Sequence, residues 1–415
     1  MPLALRHAGR APRARPARPL GVLAALALGT SSLACQPPAE APRTHVAPAR
    51  ADAGRRGADT TCAAALDSMV AVFRRDYPAY QMRVPGHEAA FAALVDSARA
   101  AAATSAADAS PDVCMPALWR VRDFFHDAHL MMWQGPPPAP TAGPPTAAAV
   151  APAVAPAVAP NDPERPTLRR YDARTLVLRL PDLDRPYKAA VDSLVAAHRA
   201  ELTTTPTLVV DLRGDGGGCT CTYDALMPLV ATGPVRGDRL DVWASPANVA
   251  FFRALATEPG APDTLRAEIR RVLPRLEAAP NTFVPWNADT AAADYTPRAV
   301  LPLPRAVAVL VDSACASSCE DFVVAARRSR KVTVFSATNT GGAGDYGNIR
   351  TVMLPGWRRL RLATSRSARL RAGPQAATDF IGLAPDVRLP RDRAGGDAAI
   401  TFALGRLDAR AREGP

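Results

Sequence analysis

Apolar positions recur along the chain with two different spacings, and the change of spacing divides it. From Thr60 the spacing is helical: Leu66, Met69, Val70, Phe73 and Tyr77 share one face before Pro78. Phe91, Leu94, Val95 and Ala98 share a second face, and Leu118, Val121 and Phe125 a third after Ser110-Pro111-Asp112. Farther on, short continuous apolar runs alternate with helical stretches. Strands are predicted near 175–180, 207–212, 306–311 and 332–336, with a further pair near 349–354 and 359–363. Helices are predicted near 187–201, 222–231, 263–277, 317–329 and 398–410. Strands alternating with helices predict an α/β core behind a small N-terminal helical domain. The segment 233–300 shows no readable period, and no solenoid-type repeat is present.

Composition refines this division. The chain has 415 residues and 42 prolines, and part of that length is low-complexity. Residues 36–58 are Pro/Ala/Arg-rich, and Pro136 to Pro160 repeats Ala-Val-Ala-Pro. The expected organisation is a leader at 1–35, a disordered tether at 36–58, a helical domain at 59–135, a linker at 136–165 and a core at 166–415. The leader combines an arginine-rich stretch, the apolar run Leu20 to Leu28 and small residues, which reads as an export signal too short to anchor in a bilayer. Ser32-Leu33-Ala34-Cys35 resembles a bacterial lipobox, so Cys35 is a lipidation candidate and membrane attachment through it is expected. The implied location is the bacterial cell envelope. The formal charge of +11 loses five arginines with the leader, which leaves +6 spread among acids. No basic run alternates with aromatics, so a nucleic-acid partner is not expected.

Besides Cys35 there are six cysteines: Cys62, Cys114, Cys219, Cys221, Cys315 and Cys319. An even number in an exported chain predicts disulfides. The last four sit in two small-residue loops, and at least one bond is expected to join Cys219 or Cys221 to Cys315 or Cys319. A four-cysteine zinc site is the rival arrangement.

Those loops hold the candidate chemistry. The strand Leu208 to Leu212 stops in Arg213-Gly214-Asp215-Gly216-Gly217-Gly218, and the strand Val307 to Val311 leads into Asp312-Ser313-Ala314-Cys315-Ala316-Ser317-Ser318-Cys319-Glu320. A hydroxyl at a helix N-terminus beside bare glycine N–H groups suits a serine nucleophile and an oxyanion. Each loop also has a structural reading. Ser317 with Glu320 forms a Ser-x-x-Glu capping box, and the glycines make a tight turn.

Together these loops resemble the tail-specific, or C-terminal-processing, serine protease family, including the tricorn core. Asp211-Leu212-Arg213 with Gly216-Gly217-Gly218 resembles its Asp-Leu-Arg-x-x-x-Gly-Gly loop, and Ala316 to Glu320 its Ala-Ser-Ala-x-Glu turn. Asp127-Ala128-His129 is similar to its Asp-Gly-His, and Gly382 to Val387 to its closing Gly-x-x-Pro-Asp segment. The resemblance implies a crotonase-like ββα-type core, peptide or protein substrates and no cofactor. It implies catalysis by Ser317 with N–H groups of Gly217 and Ser318 around the oxyanion. The lysine that many members place about 25 residues after the serine would fall at Gly342 or Ala343, and Lys331 comes too early. The base implied is therefore His129, as in the tricorn-like branch, with Asp379 in the position of the orienting acid. Ala128 stands where that branch carries a serine. The members' PDZ domain has no counterpart, because the Pro/Ala linker and one strand fill its interval. Asp386 is expected to tie loops together. The alternative function is a non-catalytic ligand- or peptide-binding protein on the same core, which the retinoid-binding proteins of the eye resemble.

Overall fold

The computed structural model describes residues 61–103, 111–134, 165–236, 239–289 and 295–413. The leader with Cys35, the tether and the Ala-Val-Ala-Pro stretch lie outside them. The first helices are α1 (Cys62–Asp76), α2 (Pro78–Arg83), α3 (Glu88–Ala103) and α4 (Pro111–Asp123), followed by strand β1 (Met131–Gln134). Thr61 caps α1 through its hydroxyl, which accepts the Ala64 N–H at 3.2 Å. Pro78 ends one helix and begins the next, because a proline at the first helical position lacks only an N–H that would be unpaired anyway. The predicted apolar faces meet in an aromatic cluster, with Phe73–Phe125 and Tyr77–Phe125 ring centroids 4.9 and 5.1 Å apart. That cluster continues into Tyr346, Leu354, Leu360 and Leu362, so helices and sheet share one core.

The chain continues through β2 (Thr167–Asp172), β3 (Thr175–Arg179), α5 (Lys188–Ala197), α6 (Arg199–Thr204), β4 (Thr207–Asp211) and the one-turn α7 (Met227–Val230). Next come β5 (Leu240–Trp243), α8 (Pro246–Leu255), α9 (Asp263–Ala278), β6 (Phe283–Pro285) and β7 (Ala306–Leu310). The last elements are α10 (Ser318–Ala326), β8 (Val332–Ser336), β9 (Tyr346–Leu354), β10 (Arg358–Ser367), β11 (Val387–Arg388) and α11 (Gly396–Glu413). Six strands form a sheet in the order β11-β8-β7-β4-β3-β2, parallel except for β2. Its side chains alternate between two covered faces. Leu176, Leu178, Leu208, Val210, Val307 and Val309 pack against α5 and α10, while Val177, Val209, Ala308 and Leu310 pack against α11. The continuous apolar runs in the sequence are therefore strands buried on both sides. The second sheet pairs β10 with β1, β5 and β9, and β5 with β6, all antiparallel.

This topology brings the two candidate loops together. Strands β4 and β7 are parallel neighbours, with Asp211 opposite Leu310, so the loops after their C-terminal ends emerge side by side. Among the described residues no helix is long and apolar enough to cross a membrane.

Candidate active site

Ser317 stands between β7 and α10 with φ 53° and ψ −122°, a conformation few non-glycine residues adopt. Such strain typically costs about 1–3 kcal/mol and persists only where the surroundings impose it. Here Cys315 donates its N–H to Asp312 O, Cys319 to Ala316 O and Asp321 to Ser317 O, at 3.0–3.2 Å. The capping box does not form, because the Ser317 side chain makes no capping bond. Glu320 instead faces a second loop and accepts hydrogen bonds from Thr340 Oγ1, Gly342 N (3.1 Å) and Ala343 N (2.7 Å). The positions where a catalytic lysine would fall thus donate backbone N–H groups that hold the nucleophile helix.

The glycine loop lies directly against this turn. A Cβ on Gly217 (φ +95°) would stand 2.3 Å from Ala316 O and 2.9 Å from Ser317 Cβ. Ser318 Oγ donates to Gly218 O at 2.9 Å and completes the junction. The Gly217 N–H itself donates to Asp215 Oδ1 at 2.7 Å, so this oxyanion candidate is already engaged. The N–H groups of Gly218 and Ser318 have no hydrogen-bond partner among the described residues. Asp211 and Arg213 form a two-bond ion pair at 2.7–2.8 Å, and the Arg213 guanidinium also donates to Ala394 O, a structural role at the strand end.

The six core cysteines pair as Cys62–Cys114, Cys219–Cys221 and Cys315–Cys319, with Cα separations of 5.4, 5.1 and 5.3 Å. This corrects the expected bond between the two loops. Cys315 and Cys319 straddle the start of α10, and the Cys219–Cys221 turn folds back so that Cys219 Sγ accepts the Cys221 N–H. Each loop cysteine is bonded to the other cysteine of its own loop, and glycine packing with the Ser318 bond joins the loops instead.

His129 lies in the turn between α4 and β1. Tyr77 Oη donates to Asp127 Oδ2 at 2.6 Å, and Asp127 Oδ1 accepts the His129 N–H at 2.7 Å. The imidazole is buried, with Nδ1 3.9 Å from Asp127 Oδ1 and without a hydrogen-bond partner among the described residues. Burial, helped by the Arg361 charge, pushes its pKa down to about 4. Burial pushes the Asp127 carboxyl up to about 6. Asp379 reaches the neighbouring backbone rather than the ring: its Oδ2 accepts Ala128 N–H at 3.2 Å and its Oδ1 accepts Asp345 N–H at 2.8 Å. Asp345 in turn accepts the Asp379 and Thr378 N–H groups and pairs with Arg369. Burial, reinforced by Asp127 and Asp345, raises the Asp379 pKa to about 8.

His129, Ser317, Ser318 and Gly216–Gly218 line one cleft of about 1050 Å³. The cleft is also lined by the apolar side chains of Phe251, Phe252, Leu255 and Trp286. No hydrogen bond joins the Ser317 and His129 side chains among the described residues, as is common before substrate binds. Lys331 sits beside Val332, which pairs with Val307 at the start of β7, so it lies at the end of the sheet away from Ser317. His126 is exposed, and His198 is half-exposed beside Glu201. Asp386 accepts the Val334 N–H at 2.8 Å and holds the closing segment to β8. A Cβ on Gly382 would stand 2.1 Å from Thr340 O, which explains the glycine that opens that segment. Sequence reasoning assigned no role to Asp127, although its place two residues before His129 is the spacing of a carboxylate that accepts a nearby backbone N–H.

The α/β core thus presents a strained serine at a helix N-terminus, against a glycine loop. The sequence pattern of peptidase family S41 matches residues 174–389, slightly over half the chain, and the protein belongs to that family. No curated protein matches the chain. Among solved structures it is similar to mature CPAF complexed with lactacystin, at 16% identity and TM-score 0.39, over 57% of this chain and 50% of that one. The chain therefore spans about half the length of that relative. A lipoprotein from Streptococcus agalactiae matches at 11% identity and TM-score 0.46, over 83% and 97% of the two chains. The photosystem II D1 C-terminal processing protease matches at 17% identity and TM-score 0.31, over 56% and 47%.

Proposed function

We propose that this peptidase is an exported serine enzyme in which Ser317 attacks the scissile carbonyl and His129 takes its proton, returning it to the leaving amine. The observation that carries the reading is the strained Ser317 turn, sharing one cleft with His129 and the glycine loop. The N–H groups of Ser318 and Gly218 receive the oxyanion, while Gly217 sets the distance between loops. Asp127, 3.9 Å from Nδ1, orients the imidazole once the ring turns toward it, and Asp379 positions the same turn through the Ala128 backbone. Three disulfides support an oxidising compartment, consistent with a cleaved or lipidated leader ending near Cys35. The apolar cleft wall favours one second reading, a peptide-binding protein without turnover.

Hydrolysis of unfolded peptides separates the two. Ser317→Ala and His129→Ala should each lower turnover by roughly a thousandfold or more, because the pair acts as a unit. Lys331→Ala should leave it unchanged. Normal turnover in His129→Ala would remove the histidine mechanism, and binding without hydrolysis in the intact protein would favour the second reading.

A further inference from the structure

Two acids around the nucleophile have both oxygens engaged by the fold: Glu320 accepts three hydrogen bonds from the 340–343 loop, and Asp379 two from backbone N–H groups. Asp215 accepts the Gly217 N–H through Oδ1 and buries Oδ2 without a partner among the described residues, but it does not line the cleft. Asp321 differs. It lies on α10 one turn beyond Ser317, with its N–H donating to Ser317 O at 3.0 Å, and it lines the same cleft. Its carboxylate makes no hydrogen bond or ion pair among the described residues. Burial pushes its pKa up to about 7, and the nearby Glu320 adds to the effect. An acid serving only the helix dipole would be solvated and its pKa lowered. Asp321 is half-buried, and a partly desolvated carboxylate that faces a cleft without a partner is stabilised when a cation arrives. The cleft is also lined by Asp182, Asp184 and Glu258 against Arg185 and Arg361, so acids outnumber fixed cations there.

We propose that Asp321 is a specificity residue that selects peptides carrying lysine or arginine close to the scissile bond. This rests on the peptidase reading. A charge-assisted bond from an ammonium or guanidinium supplies the missing partner, and the long aliphatic stem of either side chain suits a cleft with an apolar wall.

The test compares two fluorogenic peptides that differ at one position, arginine against neutral citrulline, placed in turn on each side of the bond. The wild type should favour arginine in kcat/KM by roughly 10-fold or more at one of these positions, the scale expected when a partly buried charge finds or loses its partner. Asp321→Asn should bring that ratio close to one, and Asp321→Glu should restore part of it. Benzamidine should slow labelling of wild-type Ser317 by a fluorophosphonate probe, which tests the cation site without any variant. A wild-type ratio near one at every position, a ratio retained in Asp321→Asn, or labelling indifferent to benzamidine would each overturn the assignment. Absence of hydrolysis of both peptides would instead overturn the peptidase reading, and this inference with it.

Discussion

Replacing Gly217 by alanine perturbs the closest approach between the two loops. The added Cβ would meet Ala316 O at 2.3 Å and Ser317 Cβ at 2.9 Å. A carbon–oxygen contact normally needs about 3.3 Å, so the loops must separate by roughly 1 Å. The obstacle is backbone, which cannot swing away as a long side chain would. Overpacking of this kind costs about 1–3 kcal/mol, and alanine at φ +95° adds about 1 kcal/mol or more. A misplacement near 1 Å at reacting groups corresponds to a rate loss of about 100-fold. The neighbouring Gly216 is the internal control: a Cβ there meets nothing within 4 Å and its φ is not positive. Gly216→Ala should stay within about 0.5 kcal/mol of wild type. Urea unfolding and the second-order rate of fluorophosphonate labelling, measured on both variants, give the comparison. If Gly217→Ala labels within threefold of wild type, or if both variants lose stability equally, the loop contact does not set the site.

Other expectations follow from neighbouring features. Ser317→Gly should relieve the strained turn and raise stability by up to about 1–2 kcal/mol while abolishing hydrolysis, because glycine tolerates positive φ but carries no nucleophile. Glu320→Gln exchanges one accepting oxygen for an NH₂ facing donors, and should cost about 2–4 kcal/mol in urea unfolding by leaving buried N–H groups unpaired. Breaking Cys62–Cys114, which closes a 52-residue separation, should cost about 4 kcal/mol by loop entropy, against about 2 kcal/mol or less for the two short-range bonds. A general base must be neutral, and the His129 pKa is pushed down to about 4, so activity should rise with pH along a limb below pH 6. The same burial stabilises the fold above the unfolded pKa of about 6.5, and roughly 3 kcal/mol of that should be lost as pH falls toward 4. A His129 imidazole proton resonance that titrates at pH 6.5 or above by NMR would show that the imidazole is not desolvated.

What the sequence reveals depends on whether a feature is local. Strands β4, β7 and β8 read directly because burial on both faces makes them continuous apolar runs. Strand β2, Thr-Leu-Arg-Arg-Tyr-Asp, does not, since an edge strand with an exposed face carries arginines. In the unreadable segment 233–300, β5 holds Asp241 buried among Arg366 and Arg371, and a charge network between distant segments leaves no period. Helix α8 did carry a signal, since Ser245 caps it and Pro246 opens it. At the site, Ser317, His129 and the glycines are legible because strand ends and small residues announce them. The disulfide partners, the Asp127 contact, the Glu320 clamp and the open valence of Asp321 are not, because each depends on which loops meet.

The most direct test of the central claim is the mass of a covalent adduct on the intact protein. After treatment with a fluorophosphonate probe, peptide mapping should place one phosphonyl group on Ser317, and Ser317→Ala should remain unlabelled. His129→Ala should label at least 100-fold more slowly while remaining folded under the labelling conditions. Labelling at another serine, or none on Ser317 in folded protein that still cleaves peptides, would contradict the account.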